Sequence, residues 1–553
     1  MPPWTSQWIA SLKDMPLWIS QWIASLKRAF SWGNSPLEKI RADWVSPNPK
    51  TPWLAGRLFE LTRDSANELS VDDRTWSDLE FDRLFSLADS TRSPLGSQCL
   101  YRRLRTYVGD ESALEGEYEI YVKLANEAHL RETIQLATSL LQNDSNALIC
   151  DALFGREPRQ PLWAPLIFLF SGLSLLSCVV AIFVHSVAWV FAALVLCNVI
   201  LLFFGNYRFH DVYSTAGRIG NMIGVAVRLS RIESSVRFSQ IETLRHLLSD
   251  NIEIKRAFRW FLLKRDETLL GSLAFYLQLL FLVDLAAGAI AIARMRRLRR
   301  PLQAIFEAIG SVEATVSVAS WISRVPTHCH PKISGEPRIE IVDGYHPMIS
   351  GAVTNSICLA ARSALIVGSN MAGKTTFIKM IGTNIVLGRT LGICFASSAV
   401  IPRSPVMASI RSEHSIESGK SHFFSEIERI LLFLKTAEES GRGVFLIDEL
   451  FRGTNTPERI AAAKAVLEEM ARHAQVLATT HDVELQAHLQ QQYSIYHFTE
   501  NPDLAEVFDY KLRAGISHAR NAIKLLERIG FSESIIREAQ RLLDENRLSD
   551  GGP

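Results

Sequence analysis

The chain has 553 residues, too many for one ordinary hydrophobic core, so two or three domains are expected. Its 59 lysines and arginines nearly balance 58 aspartates and glutamates, which excludes a strongly basic or acidic chain but leaves room for a local basic surface. Seven cysteines, at 99, 150, 178, 197, 329, 358 and 394, follow no spacing pattern, which argues against a disulfide framework and suits a reducing compartment.

The N-terminal segment, 1–52, opens with a near-duplication: "MPPWTSQWIASLKD" is followed by "MPLWISQWIASLKR". A repeat of two heptads keeps the tryptophans on related helix faces, so the segment either lies along a membrane interface or is a tandem duplication without a role. It lacks the basic start and continuous apolar centre of a signal peptide.

Residues 53–158 read as the first part of a helical domain. From Gln160 to Tyr207 there is no Asp, Glu, Lys or Arg. The run is long enough for two membrane-spanning helices of about twenty residues each, turning near His185-Ser186, and a hairpin over 159–207 is expected, with residues 162–204 in the bilayer. A buried hairpin in a soluble core is the alternative, but such helices normally carry charge on an outer face. Arg156, Arg159, Arg208 and Arg218 flank the run, which places both ends in the cytosol. The expected location is the inner, or cytoplasmic, membrane in a multi-pass arrangement.

Residues 208–334 read as the second part of the helical domain. Within them, 268–293 are apolar enough for a third span, but Asp284 interrupts the run, and a core helix is expected. The following "RMRRLRR" is either a solvated helix face or a phosphate-binding patch; the solvated face is expected. His328-Cys329-His330 has no second ligand pair at zinc spacing and reads as a loop.

Residues 335–510 carry connected signals of phosphate chemistry. "ALIVGSNMAGKTTFIKM" is an apolar strand, a loop and a helix start with the spacing G-x-x-x-x-G-K-T. The loop residues Gly368, Ser369, Asn370, Met371, Ala372, Gly373, Lys374, Thr375 and Thr376 are the candidate ATP cradle, with backbone N–H groups and Lys374 around the phosphates and the Thr375 hydroxyl toward Mg²⁺. In "GVFLIDELFRGTN", an apolar strand ends at Asp448, a second Mg²⁺ candidate, and Glu449, which would orient or deprotonate the attacking water. "QVLATTHD" ends in His481, placed to sense the γ-phosphate. The predicted catalytic set is thus Lys374, Glu449 and His481. Between these motifs, Ser418-Gly419 precede a helix with Phe423, Ile427, Ile430 and Leu434 on one face. A serine and glycine at a helix start offer an anion site, here suited to the nucleotide of a second subunit.

Together "GSNMAGKTT", "SIESGKSHFFSEI", "FLIDELFRGTN" and "ATTHD" resemble the MutS family of ATPases. The likeness reaches upstream through "IEIVDGYHPMI" and downstream into the helices of 511–553, which resemble the segment that pairs subunits in that family. More weakly, "DLEFDRLFSLADSTRSPLGSQCLYRRLRTYV" and "IGSVEATVSVASWIS" resemble the two ends of its helical core. Ser369 stands where proline is usual, Ala372 where glycine is, and Ile357 at the place assigned to an aromatic that stacks on adenine.

The resemblance implies an α/β P-loop domain of ABC type, preceded by an all-α lever domain that the hairpin interrupts. It also implies ATP and Mg²⁺ as ligands and a homodimer with composite ATP sites. Only about seventy residues precede the core, and they carry no F-x-E wedge, so any DNA binding is expected to lack mismatch specificity. A membrane-organising ATPase with no nucleic-acid role is the alternative. An ABC transporter fits less well, since two spans per subunit give a dimer only four.

Overall fold

The computed structural model describes residues 36–46, 54–63, 69–155, 164–233, 238–263, 276–369, 372–410, 422–441, 443–451, 454–500, 508–516 and 522–549. The chain divides into residues 1–47 and 48–553. In the first unit Pro36–Val45 forms helix α1, with Ile40 buried. The duplicated tryptophan segment lies outside the described residues.

The second unit begins with helices. Asp72 caps α2 (Asp73–Asp78) by accepting hydrogen bonds from the N–H groups of Arg74 and Thr75, and α3 (Phe81–Ala88) follows. Ser93 caps α4 (Pro94–Arg105) in the same manner, with Pro94 in the first turn where its missing N–H costs nothing. The turn before α4 is tied down by buried acids. Asp89 accepts from Thr91 and Ser97, and Glu313 accepts from Ser93 and from the Arg92 N–H. Helix α5 (Glu111–Asn126) follows, and shorter helices over Ala128–Thr138 and Leu148–Phe154 complete this part.

The uncharged run folds as α6 (Ala164–Phe183) and the start of α7 (Ala188–Ser230). Helix α7 continues unbroken past residue 207, so the expected boundary there falls inside one helix. Its two halves differ in surroundings. Trp189 is 82% exposed and Leu196 63%, whereas Ile219, Met222, Ile223 and Leu229 are fully buried. The third apolar run is not one helix. It bends at Leu282, whose φ is +53°, and then enters α8 (Val283–Ile322). Among the described residues, three helices are long and apolar enough to cross a membrane, over Pro165–Phe183, His185–Leu202 and Val283–Ile322, and their apolar windows are 17%, 6% and 89% buried. In the third, that window lies within residues 301–322, beyond the 268–293 run, whose described residues are only partly buried, so α8 is a core helix in its C-terminal half. It packs on α4, α5 and the second half of α7, and Pro301 sits inside it. Helices α4 and α8 meet at Gly310, where an added Cβ would stand 2.7 Å from the Leu95 carbonyl oxygen and 3.0 Å from Cys99 Cβ. Only glycine permits that approach.

Two sheets follow. The smaller has the order β1 (Lys332–Ser334), β5 (Ser398–Pro402), β2 (Arg338–Gly344), β3 (Asn355–Ala360). The larger has the order β10 (Phe508–Ala514), β9 (Tyr493–Glu500), β4 (Ser363–Val367), β8 (Gln475–Thr480), β7 (Val444–Asp448), β6 (Val406–Ser409). All its pairings are parallel except β10 with β9. All five residues of β4 are buried, as expected of a central strand covered on both faces. Helices α9 (Lys374–Thr390), α10 (His422–Ser440) and α11 (Thr456–His473) accompany the sheet, and α12 (Ala522–Ile529) and α13 (Glu533–Ser549) end the described chain.

One detail of α10 differs from the sequence reading. Its buried stripe is Ile430, Phe433 and Ala437, flanked by Phe423 and Leu434, while Ile427 is 38% exposed. The stripe is centred on Phe433, which stacks against Phe445 of β7, and this turns Ile427 toward solvent. In the 328–330 segment, Cys329 exchanges both backbone hydrogen bonds with Cys394, and His330 Nδ1 lies 2.8 Å from the Gly392 carbonyl oxygen.

Candidate nucleotide site

The site is assembled by strand register. Parallel pairing aligns Val367 with Thr480 and Asp448 with Thr479, so three strands deliver their C-terminal ends to one place. Functional groups at those ends meet in the crevice that parallel sheets leave for ligands.

From β4 the chain passes through the loop to Gly373, whose φ of +96° turns it into α9. A side chain there would be strained and would also press on Tyr510. Lys374 is 2% exposed, and its Nζ donates to the carbonyl oxygens of Gly368 at 2.7 Å and Ser369 at 2.8 Å. The Ala372 N–H donates to the Ser369 carbonyl at 3.2 Å. The lysine thus curls over the loop that a phosphate would occupy.

At the end of β7, Asp448 accepts from the Thr375 hydroxyl at 2.8 Å and, through its other oxygen, from the Thr479 hydroxyl. A hydroxyl and a carboxylate held side by side are the hard oxygen donors that Mg²⁺ takes, so these residues fit the ion. Glu449 adopts a φ of +54° and donates its N–H to Thr479 O at 3.1 Å, which swings its side chain back toward the loop. Its Oε1 lies 3.6 Å from Lys374 Nζ and 3.8 Å from His481 Nδ1. The predicted Lys374, Thr375, Asp448, Glu449 and His481 are therefore gathered together. Asn370, Met371, Ser418 and Gly419 lie outside the described residues.

Several contributors were not foreseen. Thr479, in "ATTHD", holds both Asp448 and Glu449. Asp482, next to His481, makes a two-pronged pair with Arg459 at 2.7 and 2.9 Å. Against the start of α9 lies a cavity of about 410 Å³ lined by Tyr345, His346, Val353, Thr376, Phe498 and Tyr510 among others. Ile357 does not face it. It is 4% exposed on β3, and the lining residues of that stretch are Ala352, Val353 and Asn355. The aromatic walls come instead from Tyr345, Phe377, Phe498 of β9 and Tyr510 of β10. Burial, aided by the positive charge of Lys379, depresses His346 to about 4, so this imidazole is neutral. Its Nδ1 accepts from the Met348 N–H, and its Nε2 has no partner among the described residues, which suits an acceptor on a nucleoside.

The helical part is joined to this domain by charge. Arg429 of α10 donates to both oxygens of Asp72 at 2.9 and 3.1 Å and to the Thr75 hydroxyl, while Asp78 accepts from the Ile410 N–H at 2.8 Å. Burial pushes the Asp78 carboxyl up to about 6.

A central parallel strand running into a glycine loop and helix, with an acidic pair at the end of the strand two places away, defines a P-loop nucleotide-binding domain. Residues 364–547 match the family model MutS domain V. Among curated proteins, the chain is 30% identical over 267 residues to DNA mismatch repair protein MutS 2 of Halobacterium salinarum, covering 45% of this chain and 30% of that one. It is 31% identical over 227 residues to endonuclease MutS2 of Streptococcus uberis, and 32% over 235 residues to endonuclease MutS2 of Streptococcus equi subsp. equi. These matches cover only 28% and 29% of the two relatives. Residues 364–547 are thus similar to the ATPase domain of the MutS family.

Proposed function

We propose that the protein is a membrane-tethered, MutS-like ATPase that hydrolyses ATP in a dimer with shared sites and turns the nucleotide state into movement of its helices. Lys374 would bind phosphate, Thr375 and Asp448 would hold Mg²⁺, and Glu449 would position and deprotonate the attacking water, with His481 beside it. Bound Mg²⁺ supplies charge neutralisation on the phosphates. Ser418-Gly419 would cap the nucleotide of a second copy. DNA is a candidate partner through its backbone, in keeping with the names of the relatives.

The observation that carries the tethering is the continuity of α7. One helix runs from a surface where Trp189, Val190 and Leu196 lie open into a core where Ile219 and Met222 are fully buried. An apolar surface of that extent needs a cover, and an uncharged hairpin suits lipid. In a cysteine-free background, a single cysteine at residue 185 should react with an impermeant reagent from outside intact cells, and one at residue 60 should not. Reaction at residue 60, or none at residue 185, would overturn this topology.

A further inference from the structure

We infer that the exposed arginines Arg294, Arg296, Arg297 and Arg300 of α8 form a collar that binds the phosphates of anionic phospholipids at the cytosolic headgroup layer. The inference rests on the membrane reading of the hairpin and assigns a role to the arginine run that the sequence left as a solvated face.

The first observation is how deep the bend at Leu282 reaches. The Ser171 hydroxyl of α6 donates to the Phe281 carbonyl at 2.7 Å, and Asn198 Nδ2 of α7 donates to the Leu280 carbonyl at 2.7 Å and to the Ser174 hydroxyl at 2.8 Å. The Phe281 ring lies 6.4 Å from that of Phe191. Leu282 and Leu285 pack with Ile167 and Leu202 of the hairpin. Ser171 and Asn198 stand some ten residues inside the uncharged run, roughly 15 Å from its ends and near the middle of a hydrocarbon layer. Carbonyls exposed by a helix break at that depth need donors, and the hairpin supplies them. Asp284, one turn on, takes the indole N–H of Trp260.

The second observation is where α8 goes next. At 1.5 Å per residue, Arg294 stands about 18 Å from the bend and Arg300 about 27 Å, which brings the run out to the interface. The third is its facing. Ile292, Met295, Leu298 and Leu302 are buried, while Arg294, Arg296, Arg297 and Arg300 are exposed on the opposite side. Arg299 differs, because it donates to the carbonyls of Leu153 and Gly155. Four cations ranged at headgroup depth match lipid phosphates, whose attraction to arginine near a charged surface is substantial.

The test uses the purified full chain in neutral detergent, titrated with dihexanoyl phosphatidylglycerol, dihexanoyl phosphatidylcholine and a short DNA duplex. The wild type should bind the phosphatidylglycerol and not the phosphatidylcholine. The variant R294Q/R296Q/R297Q/R300Q should bind phosphatidylglycerol at least about tenfold more weakly, with its ATPase rate in detergent unchanged. Should that variant misfold, the half-sets R294Q/R297Q and R296Q/R300Q should each lose part of the affinity, and four lysines should retain it. Unchanged phosphatidylglycerol binding in the variants would overturn the collar, as would loss of duplex binding alone, which would assign the arginines to nucleic acid. Alkaline carbonate washing of membranes separates the two ideas. Release of the wild-type chain would sink the hairpin reading, whereas retention with unaltered lipid binding in the variants would sink only the collar.

Discussion

Lys374 Nζ lies 3.6 Å from Glu449 Oε1, and the two side chains are only 2% and 9% exposed. A shielded cation that would bind phosphate thus faces the candidate base that would serve the water. Their losses should therefore differ. Lys374→Ala should abolish ATP binding, while Glu449→Gln should bind ATP and hydrolyse it about 10²-fold more slowly or worse. Equilibrium binding and single-turnover hydrolysis distinguish these outcomes; normal turnover by Glu449→Gln would remove it from the chemistry.

Thr479 touches no nucleotide position itself, yet its hydroxyl holds Asp448 and its carbonyl oxygen accepts the Glu449 N–H. Thr479→Val keeps the shape and the carbonyl but frees one Asp448 oxygen. The Mg²⁺ concentration for half-maximal hydrolysis should rise about tenfold, as is usual when the support of a metal ligand is lost. A rate that falls without any change in Mg²⁺ dependence would point to strand distortion.

Asp78 gives a pH signature. Burial raises its folded-state value to about 6 from 3.8, so the folded chain holds this proton more tightly than the unfolded chain. Its stabilising contribution is present in acid and is lost as pH rises from about 4 through 6, a change of about 2–3 kcal/mol. Asp78→Asn keeps the acceptor for Ile410 and removes the titration. Thermal unfolding should show the variant gaining on wild type across that window and holding a constant difference above pH 7. An identical pH profile for the two proteins would mean that Asp78 is ionised throughout.

If DNA is bound through its backbone as proposed, its affinity should follow phosphate contacts and fall steeply with salt. Matched and singly mismatched duplexes should bind alike. A tenfold preference for the mismatch, about 1.4 kcal/mol, would contradict this.

What could be read from sequence was chemistry placed at strand ends. "ALIV", "GVFLID" and "QVLATT" are buried parallel strands, and the residue after such a strand has little choice about where it points, so Lys374, Asp448, Glu449 and His481 converge as expected. What could not be read was long-range pairing. Tyr510 meets Gly373, and Arg429 meets Asp72, across separations that no local pattern encodes. Ile357 stays out of the cavity for a related reason. Alternation buries it on β3, and the cavity wall is formed by the preceding loop and by two later strands. The third apolar run was ambiguous because hydropathy cannot tell a bilayer from a protein core, and α8 leads from the hairpin into the helical core.

If nucleotide state moves the helices as proposed, the close contact at Gly310 would make α4 a fulcrum for α8. Leu282 stands 28 residues from Gly310, an arm of about 42 Å at helical rise, so a tilt of about 10° at the contact would swing the bend by about 7 Å. The far end of the same helix is seated in the ATPase domain, where the Trp321 ring packs at a tilt against Phe395 with centroids 4.7 Å apart. Trp321 is only eleven residues from Gly310, so the arm on the nucleotide side is the short one. A displacement of 2 to 3 Å at Trp321 is therefore geared up more than twofold at Leu282, and any bulkier residue at 310 should blunt the gearing by forcing the two helices apart.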